Sequence, residues 1–377
     1  MNSERRNFLR DLTLGLGTVI VAPFVSSANT VRQSIAYRLN LDPVIDIKPL
    51  GFQWKTYDPF LFCAHHEDDY PKGNGKMGPV GSLDGRDLGD DFIIKDGYRM
   101  YHGKKVPGFP GHPHRGFETV TIVRKGMVDH ADSLGASGRY GDGDTQWMTA
   151  GGGVQHSEMF PLLNESKDNR LELFQVWLNL PRKNKMVDPY FKMLWGEDTP
   201  RYKESDQEGD DSHIEVIAGK LGGHTAPSPP PDSWAADHAN EVGIWNINLD
   251  PNASLTLPRA SKGVNRTLYY YEGDSLKIAG NRIPNYHMAR VHADRLIHLE
   301  NGNDNGKILV LQGKPINEPV SQYGPFVMNT KDEIKQAFDD YHKTQFGGWP
   351  WPRRDMVHDS SLGRFAKHAD GLKEVKG

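Results

Sequence analysis

The stretch HPHRGFETVT begins at His112, and the stretch GGGVQHSE begins at Gly151. Each contains two side chains of metal-binding type at positions i and i+2: His112 with His114, and His156 with Glu158. Because successive side chains of a β-strand point to opposite faces, each pair would share one face of its strand. Two such strands lying side by side in a barrel would aim three imidazoles and one carboxylate at a common point. The pattern therefore predicts a metal site on paired β-strands.

The ligand types favour one divalent metal. Neutral imidazole suits zinc, copper, iron and nickel, and one carboxylate adds charge and hard-oxygen character. The set is similar to the two-histidine-one-carboxylate sites of non-haem iron oxygenases with one more histidine, which would leave two octahedral positions open. The alternative is that these are strand histidines hydrogen-bonded to loops. The occurrence of both pairs, with three glycines ahead of the second, favours the metal site.

Longer stretches around these motifs resemble the pirin family of bicupins. They include GFPGHPHRGFETVTIV, HADSLGASG and GDGDTQWMTAGGGVQHSEM, and later FQVWLNLP from Phe174 and GPFVMNTKDEI from Gly324. The resemblance extends from about Pro43 to Tyr341. It implies an all-β fold of two tandem cupin (jelly-roll) β-barrels, with a metal in the first barrel and a short C-terminal helix.

The resemblance also implies the site and its chemistry. The family's metal ligands map onto His112, His114, His156 and Glu158 without substitution. The implied metal is Fe²⁺, and some members cleave the flavonol quercetin oxidatively. Glu118 occupies the position at which many other cupins have a carboxylate ligand, although pirins do not use it so. Its even offset from His114 would allow it to face the metal, and we expect it beside the ligands.

Four apolar side chains near the motifs are candidates for the cavity wall, with core packing as the alternative for each: Phe109, Phe117, Trp147 and Met148. Glu158 could act as a general base towards a substrate hydroxyl. The predicted activity is a quercetinase-type dioxygenation that takes O₂ and a phenolic or enolic small molecule. Two other classes stay open: a redox-sensing module that binds a protein, and a non-catalytic metal-binding ligand carrier.

The composition excludes some functions. The chain has 377 residues, 40 of them glycine and 25 proline, which suits a turn-rich β architecture with room for two cores. A formal net charge of −4 provides no basic field that would attract nucleic acid. The single cysteine, Cys63, excludes intramolecular disulfides, and its apolar neighbours predict that it is buried.

The N-terminus is predicted to be an export signal. The run RRNFLR from Arg5 matches the twin-arginine pattern of paired arginines, phenylalanine, leucine and a basic residue. The apolar stretch at 12–25 is too short to span a bilayer comfortably, so we expect no permanent membrane span, and cleavage after Ala28. The twin-arginine (Tat) translocon would then deliver the protein to the periplasm. A cytoplasmic amphipathic helix is the alternative.

The predicted organisation has four parts: the signal at 1–28, a metal-binding cupin domain at 29–185, a second cupin domain at 186–330, and a helix with a tail at 331–377. The second half repeats the first without its ligands. Aligning the turn glycines Gly126 and Gly273 places Arg259 and Ser261 where the first half has its histidine pair. We therefore expect no metal in the second barrel.

Several local features carry further predictions. Alternation predicts a half-buried strand at 174–180, and a capping box at Thr330 predicts a short helix. The acidic-histidine cluster at 65–69 is predicted to be a polar loop, and 129–132 a solvent-exposed strand face. The aromatic segment FGGWPWP from Phe346 is predicted to pack on a barrel before the polar end of the chain frays.

Overall fold

The computed structural model describes residues 42–376, which form an almost entirely β structure. The first eleven strands are β1 (Val44–Pro49), β2 (Gln53–Trp54), β3 (Phe60–Tyr70), β4 (Gly108–His114), β5 (Phe117–Lys125), β6 (Met127–Asp132), β7 (Ser137–Gly141), β8 (Thr145–Thr149), β9 (Val154–Met159), β10 (Asn169–Asn179) and β11 (Tyr190–Leu194).

The second half continues the series. Its strands are β12 (Arg201–Ser205), β13 (Asp211–Ala218), β14 (Lys220–Leu221), β15 (His224–Thr225), β16 (Gly243–Leu249), β17 (Ser254–Leu257), β18 (Asn265–Glu272), β19 (Leu276–Ile278), β20 (Asn281–Ile283), β21 (His287–His292), β22 (Ile297–Asn301), β23 (Gly306–Gly313), β24 (Ser321–Tyr323) and β25 (Phe326–Met328). The helix α1 (Lys331–Thr344) and the strands β26 (Phe365–Lys367) and β27 (Lys373–Val375) follow.

The strands form two barrels of the same topology. In the first, the sheet β11-β8-β5-β10-β3-β2 packs on the sheet β27-β26-β7-β6-β9-β4. In the second, β1-β21-β18-β23-β16-β13-β12 packs on β17-β22-β19-β20. The order β8-β5-β10-β3 thus corresponds to β21-β18-β23-β16, and the pair β4-β9 corresponds to β17-β22. The predicted all-β fold of two tandem cupin barrels is confirmed.

The two barrels pack against each other through the outer faces of the sheets that contain β5 and β18. Val120 and Val176 of the first barrel join Tyr269 and Leu309 of the second in one buried cluster. Because side chains alternate along a strand, the intervening residues of β5, such as Thr121, face the inside of the first barrel. Burial of each large apolar side chain contributes roughly 1.5–3 kcal/mol.

The first strand of the described chain joins the second barrel, and the last strands join the first barrel. Strand β1 pairs with β21, so it extends the sheet of the second barrel although the predicted boundaries put it in the first domain. Strand β26 pairs with β7 and β27 with β26, so the tail extends the first barrel. The prediction that the polar end frays is therefore wrong. The domain boundaries themselves stay a prediction.

Other local predictions have mixed outcomes. The strand at 174–180 is confirmed within β10, and the capping box of Thr330 with Glu333 is confirmed at the start of α1. The cluster at 65–69 is not a loop, because it lies within β3. The side chains at 129–132 are buried rather than solvated. Cys63 is buried, as expected.

The predicted signal at 1–28 lies outside the described residues. Among residues 42–376, no helix has the length and apolar character needed to cross a membrane.

Candidate metal centre

Three of the predicted ligands converge between two paired strands. Strand β4 pairs antiparallel with β9, with His112 directly opposite His156. One ring nitrogen from each of His112, His114 and His156 lies within 4.8 Å of the others. The i, i+2 spacing of His112 and His114 places both on the inner face of the barrel, as the sequence predicts. Three imidazoles thus point to one place inside the first barrel.

The state of these rings fits a bound metal ion. The ring nitrogen Nδ1 of His114 and both ring nitrogens of His156 are buried and have no hydrogen-bond partner. His112 Nδ1 lies 3.0 Å from the carbonyl oxygen of Pro110, which fixes the ring and leaves Nε2 available. Burial lowers the pKa of His112 to about 4 and holds the pKa values of the other two well below the usual range. The rings are therefore neutral at pH 7 and can act as ligands.

Glu158 lies next to this triad. Its Oε2 is 3.8 Å from His156 Nε2. Thr121 Oγ1 donates a hydrogen bond of 2.8 Å to Oε1, and Gln175 Nε2 donates one of 2.8 Å to Oε2. Burial raises the pKa of the Glu158 carboxyl. Sequence reasoning missed Thr121 and Gln175, although the strand alternation of β5 and β10 could have placed them on the inner face.

His112, His114 and Glu158 line a cavity of about 530 Å³ at the mouth of the first barrel. Its wall is rich in aromatic rings, which suits a planar organic ligand. Phe109 is among them, as predicted. The other lining rings, which the sequence did not single out, are Phe52, Phe62, His66, Phe92, His102 and Trp177. His66 comes from the cluster that we expected to be a loop, and its position in β3 directs it into this cavity.

Three of the four predicted wall residues do not line the cavity. Phe117 is fully buried, and its ring centroid lies 5.1 Å from that of His114 and 4.3 Å from that of Trp177, so it supports the wall from behind. Trp147 points out of the sheet into the cluster between the barrels. Met148 packs in the core of the first barrel. For these residues the core-packing alternative holds.

Glu118 lies on the opposite side of the sheet from the triad. Its carboxylate accepts hydrogen bonds of 2.7 Å from Thr149 Oγ1 and 2.6 Å from Ser233 Oγ, the latter on the second half of the chain. The expectation that it lies beside the ligands is wrong. A turn at Gly116, with φ of 84°, separates β4 from β5, so the even offset from His114 does not place both on one face.

The buried Glu118 should make the stability of the protein depend on pH. Burial raises the pKa of this carboxyl from 4.5 to about 7, so the native state holds the proton more tightly than the unfolded state. The resulting stabilisation is present below pH 4.5 and is lost as the pH rises through about 7. The loss is on the order of 3 kcal/mol. Urea unfolding of the native protein should give a lower free energy of unfolding at pH 8 than at pH 5. The difference between the two pH values should be much smaller in Glu118→Gln.

The matched control is Glu208→Gln, which changes an exposed carboxylate of the second barrel. Its unfolding free energy should follow the pH dependence of the native protein. An unchanged pH dependence in Glu118→Gln would contradict the assignment of this carboxyl as the source.

Both halves of the chain are similar to known proteins. The family model described as Pirin matches residues 48–178, and the one described as Pirin C-terminal cupin domain matches residues 244–347. The chain is 38% identical over 240 residues to a Pseudomonas aeruginosa protein named "Putative quercetin 2,3-dioxygenase", covering 63% of this chain and 79% of that one. It is 34% identical over 263 residues to the human protein named "Pirin", covering 68% and 83%.

The chain is also similar to a solved structure. The crystal structure of quercetin 2,3-dioxygenase from Acinetobacter baumannii is 28% identical and superimposes with a TM-score of 0.62, covering 81% of this chain and 98% of that one. Both barrels are therefore included in the similarity.

Proposed function

Because this chain belongs to the pirin family, we propose that it is a metal-dependent dioxygenase acting on a flavonol-like or enolic small molecule. The observation that carries this proposal is the convergence of three neutral imidazoles, two of which line an aromatic-walled cavity. Such a cavity suits a planar phenolic compound, and the unpartnered ring nitrogens suit a metal.

The four residues His112, His114, His156 and Glu158 would hold one divalent metal, and we propose Fe²⁺. When bound, this ion would supply Lewis-acid polarisation of an enolic oxygen and electron exchange between substrate and O₂. The support is the donor set: three imidazoles and a carboxylate form a mixed nitrogen and oxygen set that iron accepts.

The residues of the chain prepare the substrate. Glu158 Oε2 is positioned to accept the proton of a substrate hydroxyl, which makes the substrate electron-rich. Thr121 and Gln175 hold the carboxylate in place through one hydrogen bond to each oxygen. Phe109 and Trp177 border the cavity and would flank a planar ring system while excluding water.

Oxygen uptake by the purified protein tests this function. Iron-loaded protein should consume one O₂ per molecule of a flavonol such as quercetin, and chelator-treated protein should consume none. Mass spectrometry should show that both atoms of O₂ are incorporated into the products, whether or not the substrate is cleaved. If the metal is bound and no phenolic or enolic compound in the panel is consumed, the protein is a metal-binding carrier and not a dioxygenase.

We also propose that the protein is exported through the twin-arginine pathway. The support is the run RRNFLR from Arg5. In a bacterial host, the native chain should be found in the periplasmic fraction, and the Arg5→Lys/Arg6→Lys variant should stay in the cytoplasm. Immunoblots of the two fractions measure this, with a cytoplasmic marker as control. Equal distribution of both chains would contradict export by this route.

A further inference from the structure

The second barrel has a cavity of about 390 Å³ of its own. Pro258, Arg259 and Ala260, which directly follow β17, contribute to its lining. Trp245 on β16 and Gln312 on β23 line it as well. Since β16, β17 and β23 correspond to β3, β4 and β10, whose residues line the cavity of the first barrel, the two cavities take corresponding places. The alignment of turn glycines likewise sets Arg259 at the position of His112. The position that His112 has in the first barrel is thus occupied by a cationic side chain in the second.

Arg266 is the buried cationic residue of this cavity. It lies on β18, is 1% exposed and lines the cavity. Its Nε donates a hydrogen bond of 2.7 Å to Gln312 Oε1, and Gln312 Nε2 donates one of 3.1 Å to the carbonyl oxygen of Glu241. The guanidinium is therefore held in one orientation. Its Nη1 is buried and has no hydrogen-bond partner.

Arg266 forms no ion pair with a carboxylate of the described residues. The Glu241 carboxylate, which lines the same cavity, interacts with the charge of Arg266 only from beyond ion-pair distance. Burial lowers the pKa of Arg266 to about 10, so it stays cationic at pH 7. Buried charges in proteins are ordinarily paired, because an unpaired one forfeits its hydration without compensation. An anion in the cavity would supply the missing partner.

The surroundings of Arg266 indicate the chemistry of that anion. Trp245 lines the same cavity, its ring centroid is 5.7 Å from the guanidinium carbon, and its Nε1 is a second buried donor without a partner. Lys220, His238 and Arg259 add cationic or donor groups to the lining. Within the described part of the chain, the one acidic lining residue is Glu241, whose carboxylate accepts a hydrogen bond of 3.1 Å from the backbone N–H of Ser261. Prolines and alanines make up much of the rest, which provides an apolar wall. A ligand that fits has an acceptor group of negative charge and an apolar body.

We propose that the second barrel binds a small organic carboxylate, with the carboxylate on Arg266 and the apolar part against the proline-lined wall. A guanidinium matches a carboxylate through two parallel hydrogen bonds. This binding site is separate from the metal centre and does not depend on the activity proposed for it.

Binding of benzoate to the full chain tests the proposal. Isothermal titration should give saturable binding of benzoate, whereas benzamide, which has the same shape without the charge, should bind at least about tenfold more weakly. Inorganic phosphate should compete more weakly than benzoate, because it cannot use the apolar wall. The His114→Ala variant should bind benzoate as the native protein does, which excludes the metal centre as the site.

Variants of the cavity complete the test. Arg266→Gln should abolish benzoate binding. Arg259→Gln, which changes an exposed residue at the cavity edge, should weaken benzoate binding. This second variant keeps the proposal testable if Arg266→Gln does not fold. Arg282→Gln, an exposed arginine of the same barrel that does not line the cavity, is the matched control and should bind normally. Absence of benzoate binding to the native protein, equal binding of benzamide, equal competition by phosphate, or undiminished binding in the folded cavity variants would overturn the proposal.

Discussion

Replacing His114 with alanine is expected to remove both the bound metal and the oxygen uptake. His114 is one of three imidazoles whose ring nitrogens lie within 4.8 Å of one another, and its removal leaves two rings and the Glu158 carboxylate. Even partners that only surround a metal site change affinity or activity by about 10–100-fold, so loss of a ligand should exceed about 100-fold. Elemental analysis measures the metal, and an oxygen electrode with quercetin measures the activity.

The matched control for this experiment is His213→Ala. His213 lies on β13 of the second barrel, its side chain is 51% exposed, and it does not belong to the triad. This variant should retain both metal and oxygen uptake. If His114→Ala is folded and still retains one equivalent of metal, the triad does not hold the ion. If it loses the metal and oxygen uptake persists, the reaction does not require this centre.

The i, i+2 spacing was enough to place His112 and His114 on one face of β4. A strand has a fixed two-residue period, so a pair on one strand is placed by local geometry alone, and only the pairing of β4 with β9 had to be supplied by the fold. The same reasoning failed for Glu118, because the parity of a strand does not continue through the turn at Gly116. A residue offset predicts the face of a side chain only within one uninterrupted strand, and the sequence does not show where the strand is interrupted.

The sequence also did not predict which polar residues are buried. Asp129 and His130 look like a solvated strand face because their types are polar, but both are fully buried. What makes this possible is Arg139, ten positions away, and a tail more than 200 positions away that covers the strand. Such pairing depends on contacts between distant parts of the chain, which hydropathy patterns of a single segment do not contain.

The buried pair of Asp129 and Arg139 joins the tail to the first barrel. Arg139 Nε and Nη2 donate hydrogen bonds of 2.7 and 2.8 Å to the two carboxylate oxygens of Asp129. The remaining donors of the guanidinium reach three carbonyl oxygens of the tail, those of His358, Asp359 and Leu362. The backbone N–H of His358 donates to Asp129 Oδ2 as well. One ion pair thus fixes the segment that leads into β26.

Replacing Arg139 with methionine is therefore expected to lower the free energy of unfolding by about 3–5 kcal/mol, because it leaves the Asp129 carboxylate buried without its partner. Urea unfolding measures the loss, and limited proteolysis should cut the tail of the variant first. Arg353→Met is the matched control: its pair with Asp355 has side-chain exposures of 45% and 29% and should contribute less than about 1 kcal/mol.

A double variant separates the two causes of that loss. Asp129→Asn/Arg139→Met removes both charges, so it should be more stable than Arg139→Met alone, since no uncompensated carboxylate remains buried. Its tail should nevertheless stay sensitive to protease, because the three carbonyl oxygens have lost their donors in both variants. If the double variant is as unstable as the single one, the cost arises from the lost tail contacts and not from the unpaired charge.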